Sequence, residues 1–244
     1  MHTQTRLLDP FRRPFRFGIL LSGCLLLTTA QADSRISGTG EKCEDGEPPE
    51  IIYQYGFEAG PAGWTTPAGV GTNSWAIVST NPHSGIFHYR GEGTNVVSDQ
   101  RLVSPALALP LGLNPLILEF RHVPNLENNG ITNCYDGGIL EVTNNAGFTW
   151  TQVPDVDFLS GGYTGTISSS FGNPLGGRLA WCSAATSTYR LSIADIRAYA
   201  GQTVQFRWRI GTDNSTSRPG WDLDDVRVQG CLPGPVIFQS RFQG

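Results

Sequence analysis

Val204, Phe206, Trp208 and Ile210 alternate with Gln205, Arg207 and Arg209. A side-chain period of two buries one face of a segment and wets the other, the pattern of a strand that covers a core on one side. Leu116, Leu118 and Phe120 alternate in the same way with Ile117 and Glu119. Strands are therefore expected at 51–57, 74–79, 85–90, 96–103, 115–122, 137–143, 149–152, 187–192, 203–211 and 221–228. Most of these runs are bounded by Gly, Pro, Asn or Ser. Thirty Gly and 16 Pro among 244 residues supply that punctuation. Heptads and strand–helix alternation are missing, so the pattern predicts an all-β, antiparallel two-sheet sandwich.

Local signals refine this. Asn144-Asn145-Ala146-Gly147 reads as the turn of a hairpin joining Leu140–Val142 to Phe148–Trp150. Residues 159–180, rich in Gly and Ser, read as one long loop. Ser192 with Asp195 is expected to cap a short helical turn ahead of Gly201. Trp221 and Leu223 lie an odd number of residues from Val226 and Val228. Either both faces of that strand are buried, or a bulge near Asp224-Asp225 resets the alternation.

The N-terminus reads as an export signal. Arg6, Arg12, Arg13 and Arg16 precede an apolar run from Phe17 to Leu27, and Ala30-Gln31-Ala32 offers a small-residue cleavage site. The expected organisation is a signal peptide at 1–32, a polar lead-in at 33–50, a sandwich at 51–231 and a tail at 232–244. No membrane span is expected after processing, because the apolar run is short. Leu21-Ser22-Gly23-Cys24 is similar to a bacterial lipobox, which leaves a lipid-anchored envelope protein as an alternative. Arg12-Arg13-Pro14-Phe15 is loosely similar to a twin-arginine signal. The expected location is outside the cell, at its surface or in the periplasm.

Without residues 1–32 the chain holds 13 basic and 20 acidic residues, a net of −7. Phosphate binding needs a basic face, so nucleic acid is not an expected partner. Four cysteines remain, and an even count after an export signal implies two disulfides. Of three possible pairings, Cys43–Cys231 is favoured because these residues flank the apolar body, which leaves Cys134–Cys182. A zinc site is disfavoured, since no C-x-x-C occurs.

Four stretches in order carry a resemblance. They are Gly56-Phe57-Glu58 with Gly63-Trp64, then Leu102-Val103-Ser104-Pro105, then Tyr135-Asp136-Gly137-Gly138-Ile139-Leu140-Glu141-Val142 with Gly147-Phe148-Thr149-Trp150. Last is Tyr199 to Arg209, leading to Gly220-Trp221-Asp222-Leu223-Asp224-Asp225-Val226. The series resembles the MAM-like jelly-roll domain of bacterial secreted proteins, which also accompanies immune-inhibitor-A-type extracellular metallopeptidases. The resemblance covers about residues 51–230. It implies a jelly roll, a structural calcium ion and an adhesive or substrate-docking role. The peptidase domain has no counterpart, because no H-E-x-x-H occurs.

The same resemblance implies that Glu58 and Asp225 are calcium ligands, on first and last strands that meet if Cys43 pairs with Cys231. Asp224 and Asp99 are further candidates. Calcium takes six to eight oxygen ligands, so clustered carboxylates suit it. The competing reading leaves the acids of 222–225 solvated or paired with Arg207, Arg209, Arg218 or Arg227. Asp136, ahead of two glycines, reads as a turn anchor rather than a ligand. Ser84, His122 and an Asp form no recognisable triad, and the histidines read as ordinary surface or loop residues. Trp64, Trp75, Trp181 and Trp208 are expected in the core. The expected function is an exported, non-catalytic binding or adhesion module for a protein or glycan. The alternative is a glycan-active hydrolase or lyase using Glu119 and Glu141.

Overall fold

The computed structural model describes residues 43, 47–130, 133–182 and 187–233. The signal peptide, most of the lead-in, Cys24 and the tail from 234 onward lie outside these. The first strands are β1 (Glu50–Tyr55), β2 (Ala76–Val78), β3 (His88–Gly93), β4 (Ser98–Val103), β5 (Leu107–Ala108), β6 (Leu116–Asn125), β7 (Asn133–Cys134) and β8 (Gly137–Thr143). They are followed by β9 (Thr151–Gln152), β10 (Phe158–Ser160), β11 (Gly165–Ile167), β12 (Leu179–Ala180), β13 (Arg190–Asp195), β14 (Thr203–Thr212) and β15 (Arg218–Gly230). One sheet runs β10-β13-β6-β15-β3-β2, with β1 also paired to β15; the facing sheet runs β4-β14-β8-β9, with β5 on β14. Every pairing within these two sheets is antiparallel. The fold is an antiparallel jelly-roll β-sandwich. No helix among the described residues is long and apolar enough to cross a membrane.

The alternation on β14 does what its period requires. Val204, Phe206, Trp208 and Ile210 are buried between the sheets. Aromatic rings bridge the layers: Trp64 lies 5.3 Å from Trp208, Phe120 meets Trp208 edge-on at 5.4 Å, and Trp181 lies 5.5 Å from Trp221. Such pairs add to the area they bury. Gly138 makes room for this stack, since a Cβ there would stand 2.5 Å from the Trp221 ring. The parity conflict on β15 resolves as a bulge. Asp224 pairs with Arg121 and Arg227 with Glu119, so the register shifts between them. Trp221, Leu223, Val226 and Val228 thereby all enter one core.

Both expected disulfides are present, Cys43–Cys231 and Cys134–Cys182, with Cα atoms 5.8 and 5.7 Å apart. Such bonds persist in oxidising compartments.

Three local expectations change. Residues 159–180 are not one loop: β11 pairs with β12 and, in parallel, with β7. The strand after the 144–147 turn starts at Thr151, because Thr143 Oγ1 and the Asn145 side chain take the backbone N–H groups of Gly147 and Thr149 and widen the turn. Phe148 is left 90% exposed at its tip. The short helical turn is Arg197–Tyr199, and Asp195 Oδ1 receives the Arg197 N–H at 3.0 Å. Ser192 takes no part in it, being turned inward toward His122.

Nor are all the histidines surface groups. His88 and His122 are fully buried. Ser192 donates its hydroxyl hydrogen to the Gly161 carbonyl at 2.6 Å, so it accepts from His122 Nε2–H at 2.8 Å. The Trp221 indole N–H donates to His122 Nδ1 at 2.9 Å, which leaves no room for a proton on that nitrogen. Burial, with Arg190 acting in the same direction, holds this imidazole well below its ordinary value. The unfolded chain therefore takes up the proton first. Stability from this group is complete above about pH 6.5 and falls by about 1.4 kcal/mol per pH unit below it. Urea unfolding is expected to show about 2 kcal/mol lost between pH 6.5 and pH 5, beyond that of His122→Gln. Equal losses in both proteins would assign the dependence elsewhere.

Candidate functional site

Three of the four candidate calcium ligands hydrogen-bond to one segment, residues 83–87. The β15 bulge turns Asp224 and Asp225 toward residues 82–87, and Glu58 reaches the same segment from the end of β1. Glu58 Oε1 accepts the Ile86 and Phe87 backbone N–H groups, both at 2.9 Å. Asp224 Oδ2 accepts those of His83 at 2.8 Å and Ser84 at 3.2 Å. Asp225 takes the Ser84 hydroxyl on Oδ1 at 2.8 Å and meets His83 Nδ1 through Oδ2 at 2.5 Å. Burial pushes the Asp224 carboxyl up, and the charge of Asp225 adds to that rise.

The backbone here is costly. Phe57, Asn81 and Asp225 have φ of 67°, 64° and 47°. Non-glycine residues reach this region at a cost and cluster where function fixes geometry. Gly85 has φ +60°, and a Cβ on it would stand 2.3 Å from Glu58 Oε1. The donors are all hard oxygens, the set that suits calcium.

Asp99 is not part of this group. It lies on β4 in the facing sheet, paired with Gly211. Arg101 meets its Oδ2 at 2.5 Å, and Arg209 binds Oδ1 at 2.6 Å and Oδ2 at 2.9 Å. Burial alone would raise this carboxyl, but hydrogen bonds from Arg209 and Arg101 outweigh it and hold the group low. A carboxylate held by two guanidiniums is already neutralised, so Asp99 has an ion-pair role where a ligand role was expected. Asp222 is likewise claimed by Arg90, at 2.5 and 2.9 Å, and by His88 at 3.2 Å.

The two acids of the enzymatic alternative are placed poorly for it. Glu141 is buried on β8 among Arg178, Arg207 and Arg209 at 2.8, 2.5 and 3.2 Å. Glu119 lies on β6, in the other sheet, beside Arg227 at 3.4 Å. His83 and Ser84 each bond Asp225 rather than forming a serine–histidine relay.

A further acidic group was only partly visible in the sequence. Glu127, Asp136 and Asp213 bring one oxygen each within 4.8 Å of one another. Asp136, expected to anchor its own turn, instead accepts the N–H of Asp213, immediately after β14, on Oδ1 at 2.8 Å. Burial first, then the charges of Asp213 and Glu127, push its carboxyl up to about 7 against the lowering effect of that bond. Beside it, Asn133, Tyr135, Thr166, Ile167, Ser168, Ser169, Phe171 and Gly177 line a cleft of about 450 Å³. Tyr135 and Phe171 meet edge-on at 5.4 Å.

With this geometry in place, comparison with known proteins adds one relative and several folds. The chain is similar to one stretch of Bacillopeptidase F. The match, to the Bacillus subtilis (strain 168) protein, is 26% identical over 199 residues and covers 78% of this chain. This chain spans only about a tenth of that relative, 11% of its length. No family model matches the chain. Among solved structures, the K1 cleaved adhesin domain of Lys-gingipain from Porphyromonas gingivalis W83 is 18% identical, with a TM-score of 0.44 over 73% of this chain and 97% of that one. The CBM22-1 xylan-binding domain of Paenibacillus barcinonensis Xyn10C is 11% identical, with a TM-score of 0.43 over 76% and 97%.

Proposed function

We propose that this chain is an exported, non-catalytic binding module for a glycan, stabilised by calcium at the Glu58–Asp224–Asp225 group. The cleft beside Tyr135 and Phe171 carries this reading. Its volume of about 450 Å³ falls within the range of small-ligand sites. An aromatic pair presents apolar surface to a sugar ring, and the hydroxyls of Thr166, Ser168 and Ser169 with the Asn133 amide offer partners for ring hydroxyls. Phe171 is 49% exposed, an apolar ring open to a ligand. The arginines around Glu141 and Glu119 speak for binding rather than hydrolysis.

Calcium is supported by three carboxylates that bond one short segment, by the strained backbone around them and by the MAM-like resemblance. Glu58 and Asp225 would hold the ion, with Asp224 keeping residues 83–84 in place through its backbone bonds. The ion's chemistry here is structural: it offsets clustered negative charge and stiffens loop 81–87. Its charge adds attraction that the backbone N–H groups alone do not supply.

A glycan array run with and without calcium tests the module, with Phe171→Ala as the control. Retention of named glycans, at least tenfold weaker in that variant, is expected; no retention, or shortening of the glycan with time, overturns the reading. Calcium at a hundred times its Kd is expected to stabilise the chain by about 2.7 kcal/mol. In a thermal melt Glu58→Gln and Asp225→Asn should lose most of that gain. Identical melting in calcium and EDTA counts against the ion. Mass spectrometry of the mature N-terminus separates this reading from a lipid anchor at Cys24.

A further inference from the structure

Asp136 stands immediately before β8 and Asp213 immediately after β14. These strands are neighbours, with Gly137 opposite Gly211, so the two acids flank one end of the sheet. Glu127 comes from the segment after β6. Its carbonyl accepts the N–H groups of Tyr135 at 2.9 Å and Asp136 at 3.1 Å, which pins it beside them. Ser215 ties the group further, donating its N–H to Asp213 Oδ1 at 2.8 Å and approaching Glu127 Oε2 at 3.2 Å through its hydroxyl.

The charge balance of this group is incomplete. Asp136 is 0% exposed, and among the described residues its Oδ2 has no hydrogen-bond partner. Asp213 is also buried. Among the described residues no Arg, Lys or His forms an ion pair with any of the three acids. Other buried carboxylates are compensated: Asp99, Glu141 and Asp222 each have guanidinium partners, and Asp224 accepts three backbone N–H groups. Buried polar atoms normally find a partner, and adjacent buried carboxylates need a cation or a proton.

We propose that Glu127, Asp136 and Asp213 form a second cation site, specific for a hard divalent ion of the calcium class. The unpartnered Asp136 Oδ2 is the ligand oxygen around which it is built. Three oxygens that all lie within 4.8 Å of one another can share an ion held about 2.4 Å from each. Oxygen-only donors disfavour zinc and copper, which take nitrogen and sulfur. The ion would clasp three segments: the chain after β6, the entry to β8 and the exit of β14. It would sit one residue from Tyr135, and so would brace one wall of the cleft. The site is separate from Glu58 and Asp225 and holds whether or not that group binds calcium.

Equilibrium dialysis of the metal-stripped chain against calcium alone tests the site, using Asp136→Asn and Glu127→Gln. Asparagine keeps the acceptor for the Asp213 N–H, and Glu127 is only half-buried, so the second variant tests the site even if the first fails to fold. Each variant is expected to bind one calcium fewer per chain at concentrations that saturate the wild type, or to need at least a hundredfold more. Glu58→Gln is expected to keep this ion. Equal calcium uptake by wild type and both variants overturns the proposal, as does a wild-type chain that binds none at pH 8, which would leave a proton as the group's counterweight. Loss of an ion in Glu58→Gln alone would place calcium at the strand ends and refute this second site.

Discussion

Glu141→Ala is expected to cost about 3–5 kcal/mol, the largest loss of any single side chain outside the aromatic core. Glu141 is buried, and its two oxygens face Arg178, Arg207 and Arg209. Coulombic attraction from Arg207 and Arg209 and the Arg207 hydrogen bond hold this carboxyl low, although burial, the largest single influence, acts to raise it. Arg209 also bonds Asp99, so the five groups with Asp99 form one continuous row across the sheet. Removing the central carboxylate leaves the buried Arg207 charge without its counterion, and that uncompensated charge is the source of the cost. Arg207 would keep its contact over the Trp150 ring, 4.2 Å from the centroid, which replaces only part of the loss. Glu141→Gln separates charge from packing and should fall between wild type and alanine. Urea unfolding with unchanged slope is the measurement. A change under about 1 kcal/mol would mean that solvent screens the row as it does surface pairs.

The second large effect is loss of the Cys43–Cys231 bond. The two residues are 188 apart in sequence, against 48 for Cys134–Cys182. Loop-closure entropy assigns about 5 kcal/mol to the longer loop and about 4 kcal/mol to the shorter, both as ceilings. The position of the longer bond adds to its effect. It lies where β1 joins β15, with Glu50 opposite Gly230, and among the described residues β1 has no other strand partner. Cys43→Ser with Cys231→Ser is therefore expected to lower the unfolding free energy by about 5 kcal/mol and to release β1 first. Hydrogen exchange of residues 50–55 and a thermal melt check the two parts. A larger loss on removing Cys134–Cys182 would show that packing around the neighbouring Trp181 outweighs the length of the loop.

Much of the fold was legible because strands write their burial with period two. The alternation at 204–210, the parity break on β15 and both cysteine pairs correspond to features of the structure. The short strands inside 159–180 were not legible. They are two or three residues long, held by backbone bonds such as Thr164 N–H to the Ala180 carbonyl, and too short to show a period. His122 was misjudged because a polar side chain between Arg121 and Val123 looks like a strand end. In fact β6 runs on to Asn125, and Ser192 and Trp221 supply both hydrogen bonds.

The acids show the same division. Glu58 and Asp225, expected from the resemblance, both bond residues 83–87. Asp99 was misassigned, although Arg101, two residues on and thus on the same face, carried the warning. Asp213 gave no local sign at all. It lies 77 residues from Asp136, and only the register of β8 against β14, extended one step past each strand end, brings the two together.

The adjacency of Cys43 and Cys231 has a mechanical consequence. Tension applied to the chain before the first of these residues and after the second crosses a covalent link between Cα atoms 5.8 Å apart. Hydrogen bonds of the sandwich lie in the bypassed segment and carry almost none of the load. A ligand held on that segment would stay bound while the flanking chain is pulled taut, and the molecule would yield in length only by what lies outside the link.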